Sequence, residues 1–275
     1  MKISFYGKSG IGKTTIVSNL AVGLAKRGFK VLQIGVDPKR DSHLSIVKKF
    51  IPTVVEVIEA KSQKNEDFSI EDFIYEGYQG VHCIEAGAPP AGIGCGGFVT
   101  GETIKILKQF DRLDYYDYYL YDVPGDLICG GYTAPLQYSD LSYVIAGDDF
   151  NSIYSVNRLL EGIKEKSKGY DIKIAGVIVN NHNQKERISK YCEELNLPII
   201  SEIDEVHALK TETLKTTIYE ANESLNVFEK EVQQFEKIVD AIIAQSHETA
   251  TLNNPDPLSF EDLIKSYRKL TFVEA

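Results

Sequence analysis

GKSGIGKTT, residues 7–15, decides how this chain is read. It fulfils G-x-x-x-x-G-K-[ST] over its first eight residues and follows the strand-like KISFY (2–6). It opens KTTIVSNLAVGLAKRG (13–28), where apolar residues at 16, 17, 20, 21, 24 and 25 recur at helical spacing until Gly28 stops them. Strand, glycine loop and helix in that order make a phosphate cradle, because loop N–H groups and the helix N-terminus point at the β-phosphate. Gly7, Lys8, Ser9, Gly10, Ile11, Gly12, Lys13, Thr14 and Thr15 are the candidate nucleotide contacts. Among them Lys13 suits the β/γ-phosphates and the Thr14 hydroxyl suits Mg²⁺.

Outward from the loop, strand and helix patterns alternate. KVLQIGVD (30–37), GVHCIEAG (80–87), DYYLYDVPGD (117–126), LSYVIAGDD (141–149), IKIAGVIVNN (172–181) and LPIISEI (197–203) read as strands. HLSIVKKF, TVVEVIEA, 100–113, 151–168, 185–195 and 222–245 read as helices. This order predicts an α/β fold of the P-loop NTPase kind, a mostly parallel sheet with helices on both faces. One domain is expected over 1–245, followed by a linker at 246–258 and a tail helix, SFEDLIKSYRKL. That helix carries apolar residues at 260, 263, 264, 267 and 270 among mixed charges, which suits packing on the body or a partner better than a basic membrane anchor. The formal net charge of −10 argues against bulk nucleic-acid binding. No run of 18 apolar residues predicts a spanning helix, and the N-terminus lacks the basic and apolar regions of a signal peptide. A reducing, cytoplasmic compartment is expected.

Lys8 exceeds what the phosphate motif needs. Lysine at the second position of the loop resembles the deviant Walker A group of dimeric ATPases. In that group the lysine crosses to the partner's nucleotide and stabilises charge in phosphoryl transfer, as an arginine finger does in trans. Two acidic strand ends join the loop. VDPKRDS (36–42) supplies Asp37, Lys39 and Asp41, and YDVPGD (121–126) supplies Asp122, Gly125 and Asp126. An Asp at such a strand end holds Mg²⁺ through water, and the glycine after it senses the γ-phosphate. Asp37 is placed to orient the attacking water. The catalytic candidates are thus Lys8, Lys13, Asp37 and Lys39, and the Mg²⁺ candidates Thr14, Asp41 and Asp122.

Four cysteines are too few for a disulfide framework in a chain of 275 residues. Cys83, in VHCIEAG, and Cys192, in KYCEEL, read as small buried hydrophobes. Cys95, in PPAGIGCGGF, and Cys129, in DLICGGY, each precede Gly-Gly. Glycine lets backbone N–H groups approach closely, and the sulfides of an iron–sulfur cluster take such donors. A [4Fe–4S] cluster needs four thiolates. One chain offers two in this setting, and a two-fold dimer offers four. Cys129 lies just past Gly125, so hydrolysis at Asp122–Gly125 would move it directly.

GKSGIGKTT, VDPKRDS, EAGAPPAGIGCGGFVTGET and DVPGDLICGGYTAPL resemble the nitrogenase iron protein and its relatives over nearly the whole chain. Within that group they most resemble the L subunit of light-independent protochlorophyllide reductase. The resemblance implies a homodimer with one bridging [4Fe–4S] cluster on Cys95 and Cys129 of both chains, and two MgATP. It implies ATP-driven docking on a heterotetramer-like catalytic complex in chlorophyll synthesis, and one-electron transfer from a low-potential donor such as ferredoxin. It implies no nucleic acid and no membrane span, and a cytoplasmic or plastid-stromal location. Asp37, Lys39 and Asp41 resemble switch one, and Asp122, Gly125 and Asp126 switch two. Asn180, in VIVNN, matches the adenine contact. Phe98 stands where nitrogenase iron proteins have a docking arginine, which disfavours nitrogenase itself. Alternatives are the iron protein of a coenzyme F430-type tetrapyrrole reductase and a cluster-free switch ATPase of the ParA/MinD kind. The chain departs from the family at Ser9 (Gly), Val36 (Cys), Arg40 (His), Pro124 (Leu) and Asn181 (Arg).

Overall fold

The segment KISFY forms β1 (Lys2–Tyr6), whose residues after Lys2 are all buried. A strand apolar on both faces needs cover on both, which a parallel sheet between helix layers supplies. The computed structural model describes residues 1–87, 96–125, 134–166, 173–180, 185–204, 216–246 and 254–271. In it β1 pairs in parallel with β5 (Tyr118–Asp122) on one side and β6 (Leu141–Ala146) on the other. Beyond β5 lie β2 (Val31–Gly35), β4 (His82–Glu85) and the two-residue β3 (Tyr75–Glu76), and beyond β6 lie β7 (Lys173–Asn180) and β8 (Ile199–Ile203). The order is β3-β4-β2-β5-β1-β6-β7-β8, with β3 antiparallel to β4 and every other pair parallel. The expected mostly parallel α/β sheet is therefore present. The antiparallel edge is an addition that two residues of YEGYQG gave no period to announce.

Alternation along each strand sorts the core into two halves. Ile3, Phe5, Leu120 and Tyr143 face α1 (Lys13–Lys26), α8 (Ile218–Leu225) and α9 (Glu229–Gln245). Tyr119, Tyr121, Val144 and Val179 face the opposite layer. That layer holds α3 (Val54–Lys64), α4 (Gly96–Gln109), α6 (Phe150–Lys166), α7 (Glu186–Glu194) and α10 (Phe260–Thr271). The short α2 (Leu44–Val47) and α5 (Ala134–Gln137) follow switch one and switch two.

The helix expected over 222–245 is two. Asn226 takes φ 53° and closes α8, and the Asn222 side chain accepts the Phe228 N–H at 2.7 Å across the joint. Asparagine is among the residues that tolerate the left-handed region, so the break is local chemistry that apolar spacing hides. The tail lies on the body. Asn157 Oδ1 accepts the Leu258 N–H at 2.9 Å, Leu263 is buried, and Tyr267 meets Phe150 edge to face at 5.1 Å. Among the described residues no helix is long and apolar enough to cross a membrane.

Candidate functional site

The parallel strands run the same way, so β1, β2, β4, β5, β6 and β7 all end along the same edge of the sheet. The phosphate loop turns at Gly12, which caps α1 in the left-handed region, φ 96°. A Cβ at that position would lie 2.6 Å from Asn180 Nδ2, so only glycine lets the loop meet the end of β7. Asn180 in turn donates to the Ile11 carbonyl at 2.6 Å and braces the loop. The Lys13 ammonium is buried beneath the loop and donates to the Gly7 and Lys8 carbonyls at 3.0 Å each.

Asp122, the last residue of β5, is the hub. Its Oδ2 accepts hydrogen bonds from Thr14 Oγ1 and Ser42 Oγ, both at 2.7 Å. One buried carboxylate thus ties the phosphate loop, switch one and switch two. Ser42 is held from behind by Gln33, whose Nε2 donates to the Ser42 carbonyl at 2.5 Å and to Ser18 Oγ at 3.2 Å. A carboxylate flanked by two hydroxyls is a hard-oxygen set that suits Mg²⁺, with water and phosphate oxygens completing an octahedron. The serine was missed as a site residue, although it directly follows Asp41. Asp37 Oδ1 accepts the Lys39 N–H at 2.9 Å, an Asx turn that shapes the start of switch one.

Gly125 lies against the loop. A Cβ there would come within 2.3 Å of Ser9 N and 2.5 Å of Ser9 Cα, both backbone atoms that cannot step aside. Gly125→Ala is expected to cost ~1–3 kcal/mol of stability through overpacking, read as a lower melting temperature. An unchanged melting temperature would mean that switch two does not rest on the loop.

Burial pushes the Asp122 carboxyl up to about 6, against the pull of the Thr14 and Ser42 hydrogen bonds and the Lys13 charge. Burial likewise raises Glu85, at the end of β4, to about 6. Both carboxyls hold their protons more tightly folded than unfolded. Their contribution is therefore fully present below the ordinary carboxylate range and is lost as pH rises through about 6. Mg²⁺ bound at Asp122 would compete with that proton. The rise in melting temperature on adding MgATP is expected to grow between about pH 5 and about pH 7 and then level off. A pH-independent rise would contradict an Asp122–Mg²⁺ contact.

Lys8 sits at the rim with its ammonium 2.8 Å from Asp149 Oδ1 of the same chain. Burial alone would raise the Asp149 carboxyl, but the Lys8 ammonium and the Ser152 N–H hold it below the usual range. Asp149 was not singled out in the sequence, where it closes the strand pattern LSYVIAGDD (141–149). As a surface ion pair this contact is worth little, ~0–1 kcal/mol, so the lysine is free to leave for a better anion.

Cys95, Cys129 and Asp126 lie outside the described residues. The other two thiols are unfit as cluster ligands. Cys83 is wholly buried with its pKa raised, and burial pushes Cys192 up to about 12. Among the described residues no group of three or more His, Cys, Asp or Glu side chains is arranged to hold a metal ion. In the sequence Cys95 follows β4 and directly precedes α4, and Cys129 follows β5. Phe98, in the first turn of α4, is 61% exposed.

Three findings place the chain among known proteins. The family model of 4Fe-4S iron sulfur cluster binding proteins, NifH/frxC family, matches residues 1–270. The septum site-determining protein MinD of Pyrococcus horikoshii, solved with Mg-ADP, superposes with a TM-score of 0.69 at 23% identity, over 91% of this chain and 99% of that one. A ParA family ATPase of Chlorobium tepidum gives 0.63 at 20%, over 88% and 95%. These likenesses speak for the fold alone.

Proposed function

The chain belongs to the NifH/frxC family and is a P-loop ATPase, and on that premise we propose that it is the ATP-dependent reductase component of a nitrogenase-like enzyme. The observation that carries the reading is the Thr14–Asp122–Ser42 set with Gly125 seated on Ser9, four residues before Cys129. Two copies of the chain would hold one [4Fe–4S] cluster through Cys95 and Cys129. When bound, the cluster would supply one-electron redox chemistry.

The chain's own residues do the rest. Lys13 and the loop N–H groups bind the phosphates, and Thr14 with Asp122 holds Mg²⁺. Asp37 orients the attacking water, and Lys8 of the partner subunit neutralises charge developing on the transferred phosphoryl group. Loss of the γ-phosphate removes what Gly125 reads, and the chain running from Gly125 to Cys129 shifts with it. Exposed Phe98, three residues past Cys95, supports docking on a catalytic complex through an aromatic contact, as in the protochlorophyllide-reductase branch. A low-potential donor such as ferredoxin would reload the dimer.

Iron and acid-labile sulfide are counted on protein purified without oxygen. About four iron per dimer, lost in both Cys95→Ser and Cys129→Ser, is the expected result. The second reading is a cluster-free switch ATPase, which shares this fold and needs neither Cys95 nor Cys129 as a ligand. An iron-free dimer that still hydrolyses ATP after anaerobic reconstitution would select it.

A further inference from the structure

In the proposed function the route from nucleotide toward Cys129 leaves Asp122, at the end of β5, through Gly125. A second route leaves switch one for the other cysteine loop. His43 follows Ser42 and is fully enclosed, and its Nδ1 lies 2.7 Å from Oε2 of Glu85, which is also fully enclosed. His43 Nε2 accepts the Ile51 N–H at 3.2 Å, so in the neutral ring Nδ1 carries the hydrogen that points at Glu85. Glu85 ends β4, and from it the chain runs through Gly87 toward Cys95. Its other oxygen, Oε1, is buried without a hydrogen-bond partner and presses on Gly35, where a Cβ would lie 2.3 Å away.

A second link runs beside the first. Arg40, in the left-handed region at φ 60°, places Nη1 and Nη2 each 2.7 Å from the two carboxylate oxygens of Glu56. Glu56 Oε2 also accepts the Thr53 N–H at 2.9 Å, in the capping box that opens α3. Thr53 touches Gly87, where an added Cβ would meet Thr53 Cβ at 2.7 Å. Both links therefore start between Asp37 and His43 and end on residues 85–87.

A buried carboxylate with one unpartnered oxygen is costly, and an apolar residue would fill the same space more cheaply. What the polar pair supplies is direction: movement of His43 must be followed by Glu85 or leave it unpaired. We propose that Arg40 and His43 are positioning residues that couple switch one to the root of the Cys95 loop, so that both cysteine loops respond to the nucleotide. The purpose of this coupling rests on the cluster reading, but its existence does not.

The test uses the full chain without iron, so that it stands apart from the iron count. Amide hydrogen exchange is followed with and without MgATP in wild type, Arg40→Ala, His43→Phe and the double variant. In wild type, MgATP is expected to change exchange over 7–15, over 37–43 and over 85–98. In the double variant the change over 7–15 persists, which shows that nucleotide still binds, while the change over 85–98 falls about fivefold or more. Arg40→Lys, which keeps the charge but loses the paired contact, should fall between. If the His43 variants fail to fold, Arg40→Ala alone decides, since its pair with Glu56 is half exposed. A wild-type protein whose 85–98 segment ignores MgATP, or variants that keep the full response there, would overturn the proposal.

Discussion

Asp122→Asn is expected to lower ATP turnover by ~10²–10³-fold, because charge stabilisation at a metal-held phosphoryl group is worth several kcal/mol and each 1.36 kcal/mol is tenfold. The substitution keeps the size of the side chain. It replaces an acceptor-only carboxylate by a neutral amide, whose NH₂ group must face either Mg²⁺ or the Thr14 and Ser42 hydroxyls that share Oδ2 in the wild type. Because burial already works against the Asp122 charge, the neutral variant loses little folding stability and is expected to gain some above pH 6. The two readouts should therefore diverge, with turnover falling while the melting temperature holds or rises. Steady-state phosphate release and thermal unfolding on the same preparation check this. Turnover within a fewfold of wild type would remove Asp122 from the metal site.

Lys8→Ala is expected to spare nucleotide binding and to cut turnover by about 10³-fold, the lower end of what a cation supplied in trans is worth. The ion pair with Asp149 makes the argument specific. With its ammonium engaged on its own chain, a Lys8 that acts in trans would have to exchange Asp149 for a phosphate across the proposed dimer. Asp149→Asn removes the competing anion and is expected to raise turnover at limiting dimer concentration. Mixing separates cis from trans. A Lys8→Ala chain keeps Asp122, and an Asp122→Asn chain keeps Lys8. If Lys8 acts across the dimer, an equimolar mixture of the two dead variants recovers about one quarter of wild-type turnover by random assortment. If it acts within its own chain, the mixture stays dead.

Much of this was legible in the sequence because it depends on local order. Gly7 to Thr15 between an apolar strand and an amphipathic helix admits one geometry, and Asp122 was found from the same logic at the end of β5. Other features depend on tertiary neighbours that no spacing reveals. Ser42 becomes a site residue only because β2 and β5 are adjacent and bring its hydroxyl to Asp122. Asp149 matters because β6 lies beside β1 and sets it against Lys8. His43 and Glu85 are 42 residues apart and meet through the β2–β4 pairing. The division of the helix at Asn226 was hidden for a different reason, since apolar spacing continues across it while a single left-handed residue redirects the chain.

The central claim is that nucleotide at the Asp122 hub is felt at a cluster held between two chains. The measurement that tests it most directly is the EPR spectrum of anaerobically purified, dithionite-reduced protein, recorded before and after MgATP is added. The expected result is a reduced [4Fe–4S] signal whose shape changes with MgATP in wild type and not in Asp122→Asn. A signal that MgATP leaves untouched in wild type, or no signal from a dimer that hydrolyses ATP, would contradict it.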